Sequence, residues 1–416
     1  MDVEIIAGWM NPEQTIGLLH IERSAGKEII SIEYANEWLS QHSGVFLDPD
    51  LNPYKGRQYV PANKKIFGFL SDTSPDRWGR KLIQKKFRIE ASSQEKSTRT
   101  LNESDYLLGV SDVLRYGGIR FRDPETGTCY SSSSDPVPPI AELRALEQAA
   151  RGYELSSDKD EAKWLRQIFE PGSSLGGARP KANVVDPDGT LWIAKFPSQN
   201  DEYDVGAWEK VEHDLAKICG INVPDAKIMK LSSFGTTFLT KRFDRTPTGS
   251  RIHMMSAMTA LGLTDGHTEG SGYLDIADIG ENILHCPDRD LPELWKRMAF
   301  GILTSNHDDH LRNHGFMLLS DGWHLSPAFD LNPVPYANSL SLEITNGDAG
   351  KDIQNAVSVS EYFRVSKKDA IVIVRQMQAE ILANWKLLAK RAGISEKGCI
   401  DMNDAFSECR HKLECS

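Results

Sequence analysis

Asn306-His307-Asp308-Asp309-His310-Leu311-Arg312-Asn313, followed at Ala328-Phe329-Asp330 by a further carboxylate, is the stretch on which the reading of this chain turns. Asp308 and Asn313 are five positions apart, and Asp330 comes 17 residues after Asn313. Between them lie an apolar run, Gly315-Phe316-Met317-Leu318-Leu319, and a turn, Ser320-Asp321-Gly322, which together predict a hairpin. An acid, an amide and, beyond a hairpin, another acid are what metal-assisted phosphoryl transfer from ATP needs. One carboxylate orients the attacking hydroxyl, while the amide oxygen and the second carboxylate hold Mg²⁺ on the phosphates. The expectation is a kinase.

The rest of the chain is compatible with that. Its 416 residues exceed one ordinary core and predict two or three packed units. Apolar residues make up 40% and charged residues 26%, as in a soluble globular protein. The net charge of −11 argues against a dedicated nucleic-acid binder. Six cysteines are scattered without a Cys-x-x-Cys pair, which sets aside zinc-ribbon and thioredoxin-like readings and predicts reduced thiols in the cytoplasm. Met1-Asp2-Val3-Glu4-Ile5-Ile6 has neither the basic start nor the long apolar core of a signal peptide, and no stretch reaches membrane-span length.

Residues 3–8, 16–22 and 29–34 read as strands, the first two separated by an Asn11-Pro12 turn. Ser74-Pro75-Asp76 predicts a helix start with Ser74 as the cap. That helix alternates apolar Trp78, Leu82, Ile83 and Phe87 with basic Arg80, Lys81, Lys85, Lys86 and Arg88, the pattern of an ordinary amphipathic helix with a solvated face. Residues 131–139 form the clearest linker, and a helix follows from about Ile140. Strands are expected at 182–185, 191–196, 226–231 and 236–243, with a helix from about Asp204 to Cys219 that Gly220 ends. From Ser256 onward the expectation is mostly helix, apart from the hairpin.

Ser173-Ser174-Leu175-Gly176-Gly177-Ala178-Arg179-Pro180-Lys181 is a small-residue loop that enters a strand. Adjacent glycines let backbone N–H groups approach phosphate oxygens, although a tight turn would use the same residues. Lys195 closes the apolar run Trp192-Ile193-Ala194. A lysine there needs a partner, and a kinase pairs such a lysine with a helical glutamate; the next helix offers Glu209 and Glu212. Histidines His307, His310 and His314 with their carboxylates admit another reading, a transition-metal site in a phosphohydrolase. That reading leaves the spacing to Asp330, the glycine loop and Lys195 unexplained. His310 is better taken as a structural brace for the loop. Arg312 either neutralises phosphate charge or pairs with a surface acid. Asp225 and Asp244 qualify by residue type alone, and a turn and a strand end account for them.

Taken together, these residues resemble the HipA family of serine/threonine kinases, the toxin halves of bacterial toxin–antitoxin modules. The resemblance is carried by Pro75-Asp76-Arg77-Trp78-Gly79-Arg80, by Ser174 to Lys181, by Lys195-Phe196-Pro197, by Gly220-Ile221-Asn222-Val223-Pro224 and by Lys241-Arg242-Phe243-Asp244-Arg245. The loop from Asp308 to Asn313 and Phe329-Asp330 complete it. It implies an α+β, two-lobed protein-kinase-like fold: a small N-terminal α/β subdomain over 1–135, a kinase N-lobe with the phosphate loop over 136–245, and a helical C-lobe over 246–416.

The resemblance also implies roles. Asp308 would be the general base, Asn313 and Asp330 the Mg²⁺ ligands, and Lys195 the ATP-phosphate lysine with Glu209 as partner. Thr240 and Lys241 would form the hinge against adenine, and the loop with Ser174, Gly176, Gly177 and Lys181 would cover the phosphates. Autophosphorylation of Ser174, or of its neighbour Ser173, would silence the enzyme, since added negative charge repels ATP. The implied partners are a protein substrate such as an aminoacyl-tRNA synthetase or another translation factor, and a HipB-like helix-turn-helix antitoxin through which DNA is contacted. Two other functions share parts of this pattern: a small-molecule or lipid kinase, and a non-catalytic binding or repressor module. A binder has no need of Lys195, Asp308, Asn313 and Asp330 together.

Overall fold

The computed structural model describes residues 1–24, 26–93, 99–132, 137–155, 168 and 179–413. Among these the strands are β1 (Asp2–Ala7), β2 (Gln14–Ser24), β3 (Lys27–Tyr34), β4 (Arg57–Tyr59), β5 (Ile119–Arg122), β6 (Lys181–Val185), β7 (Leu191–Lys195), β8 (Ala226–Met229), β9 (Thr237–Lys241), β10 (His253–Ser256), β11 (Gly315–Leu319) and β12 (Gly322–Leu325). The principal helices are α1 (Arg77–Ser93), α2 (Leu143–Leu155), α3 (Val205–Ile218), α4 (Tyr273–Ile283), α5 (Pro287–Thr304) and α6 (Lys367–Arg391). Packing divides the chain into two compact units, 1–199 with 242–255, and 200–241 with 256–416. No helix among the described residues is long and apolar enough to cross a membrane.

In the first unit, β1 to β5 form an antiparallel sheet in the order β4-β3-β2-β1-β5. Alternation in these strands sends Val3, Ile5, Leu19, Ile30 and Ile32 into a core shared with Trp38, Phe67, Phe69 and Leu70. The helix expected from Ser74 starts at Arg77 instead. Asp76 is the residue that caps it, accepting a hydrogen bond from the Gly79 N–H at 2.6 Å, while the Ser74 hydroxyl donates back to the Leu70 carbonyl. A carboxylate at this position also meets the positive end of the helix dipole.

The other oxygen of Asp76 lies 2.9 Å from the ammonium of Lys181 on β6, and the Trp78 indole donates to the Lys181 carbonyl. The side chains are 3% exposed for Lys181 and 8% for Asp76, so this is a buried ion pair joining the start of α1 to β6. Burial keeps the Asp76 carboxyl above its ordinary range even with Lys181 beside it. A second buried network surrounds Asp244. Its carboxylate is fully buried between Arg242 at 2.6 Å and Arg245 at 2.7 Å and accepts the Gly117 N–H at 2.8 Å. Burial pushes the Asp244 carboxyl up, but the two guanidinium charges pull it well below the usual range. The segment Arg242–Arg245 is thus a structural clasp of the first unit.

In the second unit, α3 packs on α6, with Trp208, Trp385 and Phe406 in one aromatic cluster. Asp204 caps α3 at the start expected for this helix, and Gly220, at φ +74°, follows its last turn. Helix α5 is buried along most of its length, through Leu291, Trp295, Met298, Phe300, Ile302 and Leu303. The hairpin β11–β12 forms with Phe316 opposite Leu325 and Leu319 opposite Gly322. Residues 331–352 depart from the helical expectation. They contain no helix or strand, only isolated bridges such as Ser339 to Gly350.

Replacing Asp76 by Ala is expected to lower the stability of the first unit by about 3 kcal/mol or more, because it strands the buried Lys181 ammonium and uncaps α1. Urea unfolding followed by tryptophan fluorescence measures this.

Candidate active site

The site begins where α5 ends. Ser305 takes a left-handed conformation, φ +59° and ψ +45°, and turns the chain out of the helix. His307 and Asp308 are then exposed, whereas Asn306, Asp309 and Asn313 are buried. Leu311–Asn313 forms a single 3₁₀ turn. The Asn313 side-chain nitrogen donates to the Asp308 carbonyl at 3.0 Å. That bond fixes the amide's orientation, so its oxygen is the group left to meet a cation.

Asp330 is brought to this loop by two hydrogen bonds close to it in the chain. The Asn332 N–H donates to the Asn306 side-chain oxygen at 3.0 Å, and the Val334 N–H donates to the Ser305 carbonyl at 3.0 Å. On its other side, the Ala328 N–H donates to the Asn222 carbonyl at 2.8 Å, and Glu293 accepts the Asn222 N–H. Asp330 itself has φ +58°, a region that few residues other than glycine, asparagine and aspartate adopt. A strained backbone at an acid next to an exposed loop is a functional signature, because the surrounding structure must enforce it.

A Mg²⁺ ion suits this donor set. It binds through one or two protein oxygens and completes its shell with phosphate and water. The transition-metal alternative is not supported. Among the described residues no group of three His, Cys, Asp or Glu side chains is placed to hold a metal ion. His307 is turned to the Ser339 carbonyl at 2.7 Å, and His314 faces Asp309 at 3.0 Å. His310 is half-buried, and its Nδ1 is buried with no hydrogen-bond partner. Arg312 makes two hydrogen bonds to the exposed Asp265, at 3.0 and 2.8 Å, which is the surface pairing considered from the sequence.

The remaining expected residues are distributed as follows. Lys195 ends β7, half-buried and directly opposite Lys181 in the strand register. Lys181, expected over the phosphates, instead has its ammonium in the interior of the first unit on Asp76, 105 residues away in sequence. Thr240 and Lys241 end β9, and the Lys241 N–H donates to the Asp225 carbonyl at 2.8 Å. Ser173, Ser174, Gly176 and Gly177 lie outside the described residues.

The two candidate glutamates on α3 separate clearly. Glu209 is 3% exposed, while Glu212 is completely buried. Burial pushes the Glu212 carboxyl up to about 8, with only the Thr304 hydroxyl pulling the other way. Glu212 is therefore a neutral acid at pH 7 and unsuited to an ion pair. Sequence reasoning passed over Asn306, Ser305 and Tyr273. The first two stand in or beside the quoted stretch, but their roles depend on partners elsewhere in the chain.

A kinase-like α+β fold with these two joined loops defines the class, and comparison with known proteins agrees. A family model described as the HipA-like C-terminal domain matches residues 173–385, just over half of the chain. The chain belongs to the HipA-like family. The serine/threonine-protein kinase toxin HipA of Shewanella oneidensis is 25% identical over 411 residues, covering 90% of this chain and 85% of that protein. A Sinorhizobium fredii relative bearing a kinase name, Y4dM, is 25% identical over 294 residues, covering 66% of this chain and 69% of the relative. Among solved structures, HipA from the Shewanella oneidensis complex of HipA, HipB and operator DNA superposes with a TM-score of 0.67 at 16% identity. That match spans 98% of this chain and 96% of the other, and it establishes the fold.

Glu212 carries a pH prediction. The unfolded carboxyl ionises near its ordinary value of 4.5, whereas the folded one stays protonated to about 8. The unfolded state thus binds fewer protons in that window, and stability falls as pH rises through it. Glu212→Gln is expected to flatten this fall and to stabilise the protein most at pH 8, read from unfolding midpoints at pH 5 and pH 8.

Proposed function

We propose that this protein is an ATP- and Mg²⁺-dependent serine/threonine protein kinase of HipA type. The observation that supports it most is the pairing of two loops: the Asp308–Asn313 loop, closed by its own amide hydrogen bond, and the Asp330 segment, tied to Asn306. In this reading the exposed Asp308 accepts the proton of the acceptor hydroxyl as it attacks the γ-phosphorus. Asn313 and Asp330 present oxygens to Mg²⁺, which when bound neutralises charge on the phosphates. Lys195 is the phosphate-binding lysine and Glu209 its acidic counterpart. Thr240 and Lys241 serve as the adenine hinge, and the loop with Ser174, Gly176 and Gly177 covers the phosphates. Lys181, at the end of that loop, is paired with Asp76.

The same reading extends to biology. The chain acts as a growth-inhibiting toxin on a protein substrate of the translation apparatus. A helix-turn-helix antitoxin restrains it and supplies the DNA contact, which suits the net charge of −11 on the kinase itself. The complex of the structural relative with HipB and operator DNA supports this partner. Phosphorylation of Ser174, or of Ser173, switches the enzyme off.

Incubation of purified protein with Mg²⁺ and labelled ATP, followed by mass-spectrometric mapping, tests the proposal. The expected result is phosphate on Ser173 or Ser174 in the wild type. Asp308→Asn is expected to transfer at least about 100-fold more slowly while still binding ATP. A dephosphorylated wild type that neither binds ATP nor transfers phosphate overturns it.

A further inference from the structure

Asp309 follows the proposed base directly, yet the two acids have opposite surroundings. Asp308 is exposed, and Asp309 is 5% exposed. The Asp309 carboxylate accepts the Tyr273 hydroxyl and lies 3.0 Å from His314 Nε2. The Tyr273 and His314 rings meet edge to face, with centroids 5.4 Å apart. Burial pushes the Asp309 carboxyl up, but the His314 charge beside it and the Tyr273 hydrogen bond bring it below its ordinary value. Asp309 therefore adds no second acid to the exposed loop. A buried carboxylate is expensive to place unless its partners are fixed, so an apolar residue would fill this space at lower cost. What the carboxylate contributes is geometry.

That geometry runs through Tyr273. Its N–H donates to the Glu343 carbonyl at 2.9 Å. The preceding residue must be glycine for this approach, because a Cβ on Gly272 would lie 2.3 Å from the same carbonyl oxygen. The segment around Glu343 also holds the residue on the other side of Asp308. Ser341 donates to the His307 carbonyl through its N–H at 3.0 Å and its hydroxyl at 2.8 Å, and the Ser339 carbonyl faces the His307 ring at 2.7 Å. Asp308 is thus an exposed residue between two anchored neighbours. His307 is held directly by residues 339–341, and Asp309 is held through Tyr273, which hangs from residue 343. The contact of Asp309 with His314 spans the 3₁₀ turn that carries Asn313.

We propose that Tyr273, Asp309 and His314 form a buried brace that sets the positions of Asp308 and Asn313, making Tyr273 and Asp309 positioning residues for phosphoryl transfer. This rests on the kinase reading above. A brace of this kind matters because displacement of a reacting group by about 1 Å costs on the order of 100-fold in rate.

The test uses the full chain as wild type, Tyr273→Phe and Asp309→Asn. Tyr273→Phe removes one oxygen and keeps the ring against His314. Asp309→Asn keeps an acceptor for the tyrosine and removes the charge. Transfer from Mg²⁺-ATP gives kcat and KM, and amide hydrogen exchange over 307–313 reports the loop. Tyr273→Phe is expected to lower kcat about 10-fold or more with the ATP KM within about twofold, and to speed exchange in the loop. Asp309→Asn is expected to move both readouts the same way. Wild-type kcat and exchange in both variants overturn the brace, as does a rise in the ATP KM that matches the loss of kcat. If the wild type transfers no phosphate, the kinase reading falls. Exchange then decides the brace alone: faster exchange in Tyr273→Phe sustains it, and unchanged exchange ends it.

Discussion

Ser305 is the residue on which the second unit turns. It is fully buried, it stops α5 in a left-handed conformation, and it starts the Asp308 loop. Its carbonyl accepts the Val334 N–H at 3.0 Å. Its hydroxyl donates to the Ala405 carbonyl at 2.6 Å and accepts from the Lys351 ammonium at 2.9 Å. Glycine would take this backbone shape without the penalty of about 1 kcal/mol or more that a side chain incurs. Glycine would also remove the donor to the Ala405 carbonyl and one of the two hydroxyls that accept from the Lys351 ammonium, the other being that of Ser407. One serine hydroxyl and one carbonyl therefore tie together a helix end, the start of the Asp308 loop, the Asp330 segment and the C-terminal turns.

From that point the site assembles by short reach. Asn306 receives the Asn332 N–H, Asn313 closes on Asp308, and Asn222 with Glu293 steadies Ala328, two residues before Asp330. The Gly220–Pro224 motif acquires a physical role here, because Asn222 within it is the support for the Asp330 segment. The Arg242–Arg245 motif acquires a different one, as a buried ion network inside the first unit. Of these two motifs, the first supports the Asp330 segment, and the second stabilises the unit that carries Lys195.

What could be read in advance follows sequence distance. The strands β1 to β3 were legible from alternation, and the nearness of Asp308 and Asn313 from their spacing, because both are local patterns. The cap of α1 was misplaced by two residues, since Ser74 and Asp76 are both good caps and tertiary contact with Lys181 favours the acid. Residues 331–352 hold Pro333 and Pro335, which disfavour a helix, and their backbone groups bond to the Asp308 loop and to isolated bridges. The roles of Lys181 and Tyr273 were not legible, because their partners stand 105 and 36 residues away. Glu212 escaped for another reason. Helix α3 is buried on nearly every face, so polar spacing along it does not mark a surface.

The central claim is that Asn313 and Asp330 converge on one divalent cation beside Asp308. Crystals grown with Mn²⁺ in place of Mg²⁺ and a non-hydrolysable ATP analogue test it most directly, with the metal located by anomalous scattering. The account predicts a peak in direct coordination with the Asn313 side-chain oxygen and the Asp330 carboxylate. Nucleotide bound with manganese on other protein groups, or with neither residue touching the metal, would contradict it.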